Sequence, residues 1–149
     1  MRSDSQYTVG IHTLMLVTFF EEDRITSQKV ARSIRCNPVI VRNVFTKLSK
    51  AGLLKPGMGR RRTELARPAE EITLYDVFVA TQSDDVNSMF RMYDPNPFCP
   101  VGHDIHRILS SRFEDARDAM FDSLRGTTIA DLVAELPPEK KRLPEELRD

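Results

Sequence analysis

The stretch from Thr26 to Arg67 constrains this chain more than any other. Val30, Ala31 and Ile34 form the inward stripe of a short helix over Ser27–Ile34, with Thr26 as its cap. Cys36-Asn37-Pro38 is a turn: Asn is a strong N-cap and Pro suits the first helical position. A second helix is therefore expected over Pro38–Lys50. Its apolar residues Val41, Val44, Phe45 and Leu48 fall at i, i+3, i+4 and i+7. Ala51-Gly52 ends it, with Gly52 at the position after the cap. Leu53-Leu54-Lys55 reads as a strand, Pro56-Gly57-Met58-Gly59 as a turn, Arg60-Arg61-Arg62 as the tip and Thr63–Ala66 as the return strand. Two helices joined by a tight turn and followed by a hairpin make a helix-turn-helix with a wing.

The charge sits in the same place. Residues 1–67 hold 13 Lys and Arg against 5 Asp and Glu, while residues 68–149 hold 9 against 17. A formal net charge of +0 thus hides a basic front and an acidic back. A basic front on such a motif reads as a face for double-stranded DNA. The outward side of the second helix carries Asn37, Val39, Arg42, Asn43, Thr46, Lys47 and Lys50, and no acid. Arg pairs with guanine and Asn with adenine in the major groove. Arg42 and Asn43 lie near the helix start, where such helices touch bases. Thr26, Ser27, Gln28 and Lys47 are better placed for phosphates. Arg60, Arg61 and Arg62 suit an adjacent minor groove or the backbone.

Around this motif the chain reads as mainly α with a small β-wing. A first helix over Gln6–Phe20, capped by Ser5, is apolar on most faces and so is expected to be buried between partners. His12 inside it reads as a core or interface residue. Ile25 suits a short strand, and Gln28, Lys29, Arg32 and Arg35 are expected to face out. Thr73-x-x-Asp76 opens a helix reaching Gln82. Residues 83–100 form an irregular connection with an apolar cluster of Met89, Phe90, Met92, Tyr93 and Phe98, either packing or a small-molecule pocket. The longest helix, Val101–Arg125, carries one stripe of Ile105, Ile108, Leu109, Phe113, Ala116, Met120 and Leu124. A chain this small cannot cover all of it, so a homodimer through this helix is expected. A two-fold dimer would meet a palindromic operator. Thr128-x-x-Asp131 caps a last helix to about Leu136. The organisation is then 1–82 winged helix-turn-helix, 83–100 connecting or sensor loop, 101–136 dimerisation helices and 137–149 a frayed, charged tail.

Other classes of function find little support. No apolar run approaches the ~18 residues of a membrane span. Met1-Arg2-Ser3-Asp4 opens no signal peptide, so a cytoplasmic protein is expected. Cys36 and Cys99 make no disulfide framework. Cys36 reads as core packing. Cys99 precedes Pro100 and a long helix, where the helix dipole favours a thiolate. It reads either as a redox or electrophile sensor or, more commonly, as a half-buried space filler. Cys99, His103 and His106 are spaced i, i+4 and i+7, but no carboxylate beyond Asp104 completes a metal site. There is no nucleophile–base set and no Gly-rich phosphate loop, so no enzyme is expected.

Several local matches point to a known group. They are Ser5 and Tyr7, Thr26-Ser27 with Ala31, Asn37-Pro38-x-x-Val41-Arg42 and Leu48-x-Lys50-Ala51-Gly52-Leu53. They continue through Leu65-Ala66-Arg67-Pro68, Glu71-Ile72-Thr73-Leu74-x-Asp76-Val77 and Cys99-Pro100-Val101-Gly102. Across about residues 5 to 135 the chain resembles the Rrf-two type bacterial regulators, grouped with IscR, NsrR and CymR, and is most similar to YwnA-like members. The resemblance implies a dimeric winged-helix repressor or activator that binds an inverted repeat. Its wing departs from the group, which has Gly-Gly and an aromatic where Arg61, Arg62 and Thr63 stand here. Iron–sulfur members carry three close cysteines, of which only Cys99 is present. Tyr93 and Asn87, six and twelve places upstream, supply no thiolate. The resemblance therefore implies no cluster, and no cofactor is expected. The signal, small-molecule or redox, stays open.

Overall fold

Pro38 has a fixed φ and no N–H, so it fits the first turn of a helix, and Asn37 Oδ1 accepts the Val39 N–H at 2.9 Å. These two residues start α3 (Pro38–Lys50) in a computed structural model that describes residues 5–82 and 90–148. Asn87 and Met89 lie outside the described residues. The end of α3 is a Schellman motif. Leu53 N–H reaches back to Leu48 O at 2.9 Å, Gly52 N–H reaches Ser49 O at 3.1 Å, and Gly52 takes φ +73°. Between these ends Val41, Val44 and Leu48 have 0% exposure.

α2 (Ser27–Ile34) begins as expected, with Thr26 Oγ1 accepting the Lys29 N–H at 3.2 Å. It stops at Arg35, whose φ of 62° turns the chain towards α3. Lys29 does not face out. It is buried, and its Nζ donates to Arg24 O at 2.7 Å. Its long apolar stem crosses the core edge while the ammonium meets a carbonyl. Ile25 is buried in an extended link, not in a strand.

α1 (Gln6–Phe19) packs against α2 and α3 through Val9, Leu14 and Val17. Ser5 is no cap. It is already helical, at φ −65° and ψ −2°, and its carbonyl takes the Val9 N–H at 2.8 Å. The wing is shorter than expected: β1 (Leu54–Lys55) pairs antiparallel with β2 (Glu64–Leu65), Leu54 opposite Leu65. Leu53 drops out because its N–H closes the α3 end. Thr63 drops out because its buried hydroxyl accepts the Gly57 N–H at 3.1 Å.

α4 (Leu74–Thr81) and α6 (Ile129–Val133) open with the two expected capping boxes. The boxes sit side by side. Leu74 N–H donates to Thr127 O at 2.9 Å, and Ile129 N–H donates to Ile72 O at 2.8 Å. This bridge docks α6 on α1, with Ile72 and Ile129 fully buried. α6 ends at Val133, earlier than Leu136. α5 (Pro100–Arg125) packs by its C-terminal end on α4, where Phe121 meets Tyr75 and Phe78 at 5.1 and 5.5 Å between ring centroids. Arg125 covers the Tyr75 ring at 4.0 Å.

The C-terminal segment is not frayed. It forms two 3-10 turns, Pro138–Lys140 and Glu145–Leu147, and Leu143 between them is 1% exposed within the core. Its N–H meets Asp23 Oδ2 at 3.4 Å, and its carbonyl accepts from Arg148 Nε at 2.8 Å. The charges around it stay in solvent, while Leu143 and Leu147 pack inward. Leu143→Ala should therefore cost about 2–5 kcal/mol in urea unfolding, the scale of a core leucine. A change below about 0.5 kcal/mol would place the segment outside the fold.

His12 is half-buried, and its Nε2 shares a hydrogen bond with Ser33 Oγ at 2.9 Å. Burial holds its pKa below the usual value. The unfolded chain then binds the proton more tightly than the native one. This contribution to stability is present above about pH 6.5 and is lost as pH falls towards the lowered native value. His12→Gln should remove that part of the acid slope, read from urea midpoints at pH 7.5 and pH 5.

Candidate nucleic-acid interface

Because Val41, Val44 and Leu48 point inward, the opposite face of α3 is set by the helical repeat of about 100° per residue. Val39, Arg42, Asn43, Thr46 and Lys50 cluster on it and are exposed, Val39 at 49%. The Thr46 hydroxyl donates to Arg42 O at 3.1 Å, which leaves its oxygen lone pairs outward. Asn37 is exposed too, but its Oδ1 is spent on the cap. Lys47 leaves this face. It sits at the edge of the helix, half-buried, and its Nζ donates to Gln6 Oε1 at 2.5 Å and to Thr81 O at 3.2 Å. The role expected for it at a phosphate is corrected to a cap on the α4 C-terminus, which favours a cation.

α2 brings up its N-terminus beside α3. Thr26 and Ser27 are half-buried and Gln28 is exposed. The Thr26 hydroxyl caps Lys29, so the Ser27 and Gln28 N–H groups are the ones aimed out of the helix end. Neither α2 nor α3 has an acid in its first turn. Both helix ends keep their positive dipoles, which suit phosphate. Arg32 and Arg35, expected to face outward but given no role in DNA contact, add to this surface. With Gln28 and Pro38 they line a shallow concavity between the two helices. Arg35 does so from a left-handed turn position that glycine would adopt more cheaply, a conformation its sequence neighbours do not announce.

The wing is fastened to the turn before α2. Arg24 donates to Gly59 O, and Arg62 Nη1 donates to Glu21 O at 3.1 Å. Arg62 is thus exposed but folded back, while Arg60 and Arg61 stand at the tip. The wing bend needs Gly57, because a Cβ there would meet Arg61 O at 2.4 Å and Thr63 N at 2.8 Å. The chain reverses over Met58–Arg61, with Arg61 N–H on Met58 O at 2.9 Å.

The sensor region is arranged differently from expectation. Cys99 is exposed rather than half-buried, and it precedes Pro100 without capping the helix through its side chain. Cys36 packs on the core edge, as expected. His103 Nδ1 pairs with Asp104 at 3.1 Å and His106 Nε2 with Tyr93 O at 2.8 Å. Among the described residues no three of His, Cys, Asp and Glu come within reach of one metal ion. Phe90 stacks on Phe113 at 4.6 Å, but Tyr93 and Phe98 stand 66% and 93% exposed.

Comparison with known proteins gives the family. The family model Rrf2, described as an iron-dependent transcriptional regulator, matches residues 3–135. YwnA of Bacillus subtilis, a helix-turn-helix transcriptional regulator by name, is 31% identical over 89% of this chain and 98% of its own length. A crystal structure described as that of a DNA binding protein is 30% identical, with a TM-score of 0.68 over 86% of this chain and 98% of that one. IscR of T. potens, at 16% identity, shares the fold with a TM-score of 0.67 over 99% of this chain and 97% of its own. The iron in the family description finds no iron–sulfur ligand set here, since a cluster needs several thiolates and the chain has two cysteines on separate elements. No helix of the described residues is long and apolar enough to cross a membrane. A basic, acid-free helix face, two uncompensated helix ends and a tethered basic wing thus coincide with the matched region, and the chain belongs to the Rrf2 family of winged-helix transcriptional regulators, which are not enzymes.

Proposed function

We propose that the chain is a homodimeric, sequence-specific repressor that reads a palindromic operator with α3 and grips backbone or minor groove with the wing. The observation that carries this reading is the exposed α3 face, where Arg42 and Asn43 stand without an acid, together with the acid-free first turns of α2 and α3. Ser27, Gln28, Val39 and Thr46 flank them, and Arg32 and Arg35 extend the basic surface. A winged helix used only for protein contact would have no need of so uniform a sign.

The dimer rests on α5. At about 1.5 Å per residue its 26 residues run about 39 Å. Only Phe121 is buried, and Ile105, Ile108, Leu109, Phe113, Ala116, Met120 and Leu124 all remain partly or fully exposed. So long an apolar stripe in solvent marks an interaction surface. Of the two thiols, Cys99 is the one a reagent in solution reaches, so a thiol-reactive signal would act there.

Arg42→Ala should cost about 1–3 kcal/mol of discrimination between operator and random duplex. Replacing Arg60 and Arg61 by Ala should instead weaken both duplexes alike and reduce the salt slope by about two. Fluorescence anisotropy with salt titration separates the outcomes, and discrimination unchanged by Arg42→Ala would remove α3 from base reading. Ile108→Glu with Leu109→Glu should convert a dimer to a folded monomer in sedimentation. An unchanged sedimentation coefficient would place the dimer interface elsewhere.

A further inference from the structure

The face of α1 turned away from α2–α4 is covered by the C-terminal segment, but the two surfaces do not close. A cavity of about 620 Å³ remains between them. That lies within the roughly 300–1,000 Å³ of small-molecule sites. Ile11, Met15 and Phe19 form the helical wall, and Leu136 and Pro144 face them. The polar groups are few: Thr8 and His12 on α1, and two cations opposite. Lys140 and Arg142 line the C-terminal side, and neither forms an ion pair with a described residue. No Asp or Glu lines the cavity.

We propose that this cavity binds an apolar small molecule bearing one terminal anionic group, a medium-chain carboxylate in its simplest form. Its chain lies along α1 and its charge meets Lys140 and Arg142. The argument for this occupant is complementarity on both counts. Apolar walls without partner atoms lack dispersion contacts that a hydrocarbon chain supplies. Two cations that form no ion pair with a described residue favour an anion over a neutral or cationic ligand. Among the described residues the C-terminal wall is anchored by Leu143, Leu147 and the Asp23 contact. His12 also lines the cavity and is bonded to Ser33 of α2, so occupancy bears directly on the helix whose N-terminus faces DNA. A role as effector rests on the regulatory reading above, whereas binding itself does not.

The test is isothermal titration of the full chain with dodecanoate below its micellar concentration, without DNA. The expected result is saturable binding of one molecule per chain, with the neutral dodecanol at least about tenfold weaker. Lys140→Glu combined with Arg142→Glu, both exposed positions, should weaken dodecanoate by at least about tenfold and leave dodecanol unchanged. Met15→Trp, which fills the cavity, should abolish both. Circular dichroism identifies any variant that fails to fold, and the charge-reversal pair then decides alone. No saturable binding, equal affinity for acid and alcohol, or indifference to the charge reversal would overturn the proposal. Because these titrations contain no DNA, they stand or fall apart from operator binding. An anisotropy shift on adding dodecanoate to the protein–DNA complex then addresses the effector role.

Discussion

The rotation of α3 about its own axis governs the rest of this structure. Val41, Val44 and Leu48 have no exposure at all, and each is worth about 1.5–3 kcal/mol when fully buried. Turning the helix by one residue position would bring two of them into water. That cost fixes which side chains face out, so the exposed basic face of α3 is held in place by the core packed on the opposite side. Lys47 illustrates the rule. Its place on the helical wheel lies between the two faces, and packing claims it: Gln6 and the α4 carbonyl end take its ammonium. A lysine that reads as surface charge in a linear sequence becomes a strut.

The helix ends follow a second division. α4 and α6 open with Thr–Asp capping boxes, which satisfy their own orphan N–H groups and place an acid at the positive dipole end. They also join to each other through the Thr73–Thr128 bridge, beside the buried Ile72 and Ile129. α2 and α3 have side-chain caps but no first-turn acid. Their dipoles remain uncompensated and point to the surface that Arg42, Arg32 and Arg35 line. α1 and α5 also lack a first-turn acid, so the contrast is between the two capping-box helices and the helix-turn-helix pair, whose bare ends stand beside exposed cations.

Much of this was legible from the residues. The apolar spacing in α3, the Asn37-Pro38 start, the Gly52 stop and both capping boxes are local signals, each tied to a backbone need within four residues. What escaped depended on contacts distant in sequence. Ser5 has the right chemistry for a cap, but the chain was already helical there. Lys29 carries a charge, yet its stem fits the core edge and a carbonyl waits for its ammonium. The folding back of Arg62 onto Glu21 spans 41 residues, and no window of sequence contains both. Arg35 was visible only as a surface cation, because its positive φ is a property of the turn geometry. Within the candidate site, the exposure of Arg42 and Asn43 was readable, while the engagement of Lys47 by Gln6 and Thr81 was not.

The C-terminal segment shows why composition misleads at this scale. Thirteen residues rich in charge and proline average to a disordered signature, yet burial is decided by single side chains. Leu143 and Leu147 anchor the segment, and the charged residues between them lose no hydration. That economy has a geometric consequence. A helix laid on α1 would interlock ridges and grooves and leave no void larger than water. Two short 3-10 turns separated by prolines cannot follow the α1 ridges, since their side chains recur every three residues rather than every 3.6. Leu143 between them enters the core, the second turn packs on α2, and the rest of the segment stands across from α1 over the cavity. A gap of ligand size is therefore what packing leaves when a segment of this kind, in place of a helix, closes the last apolar face of the domain.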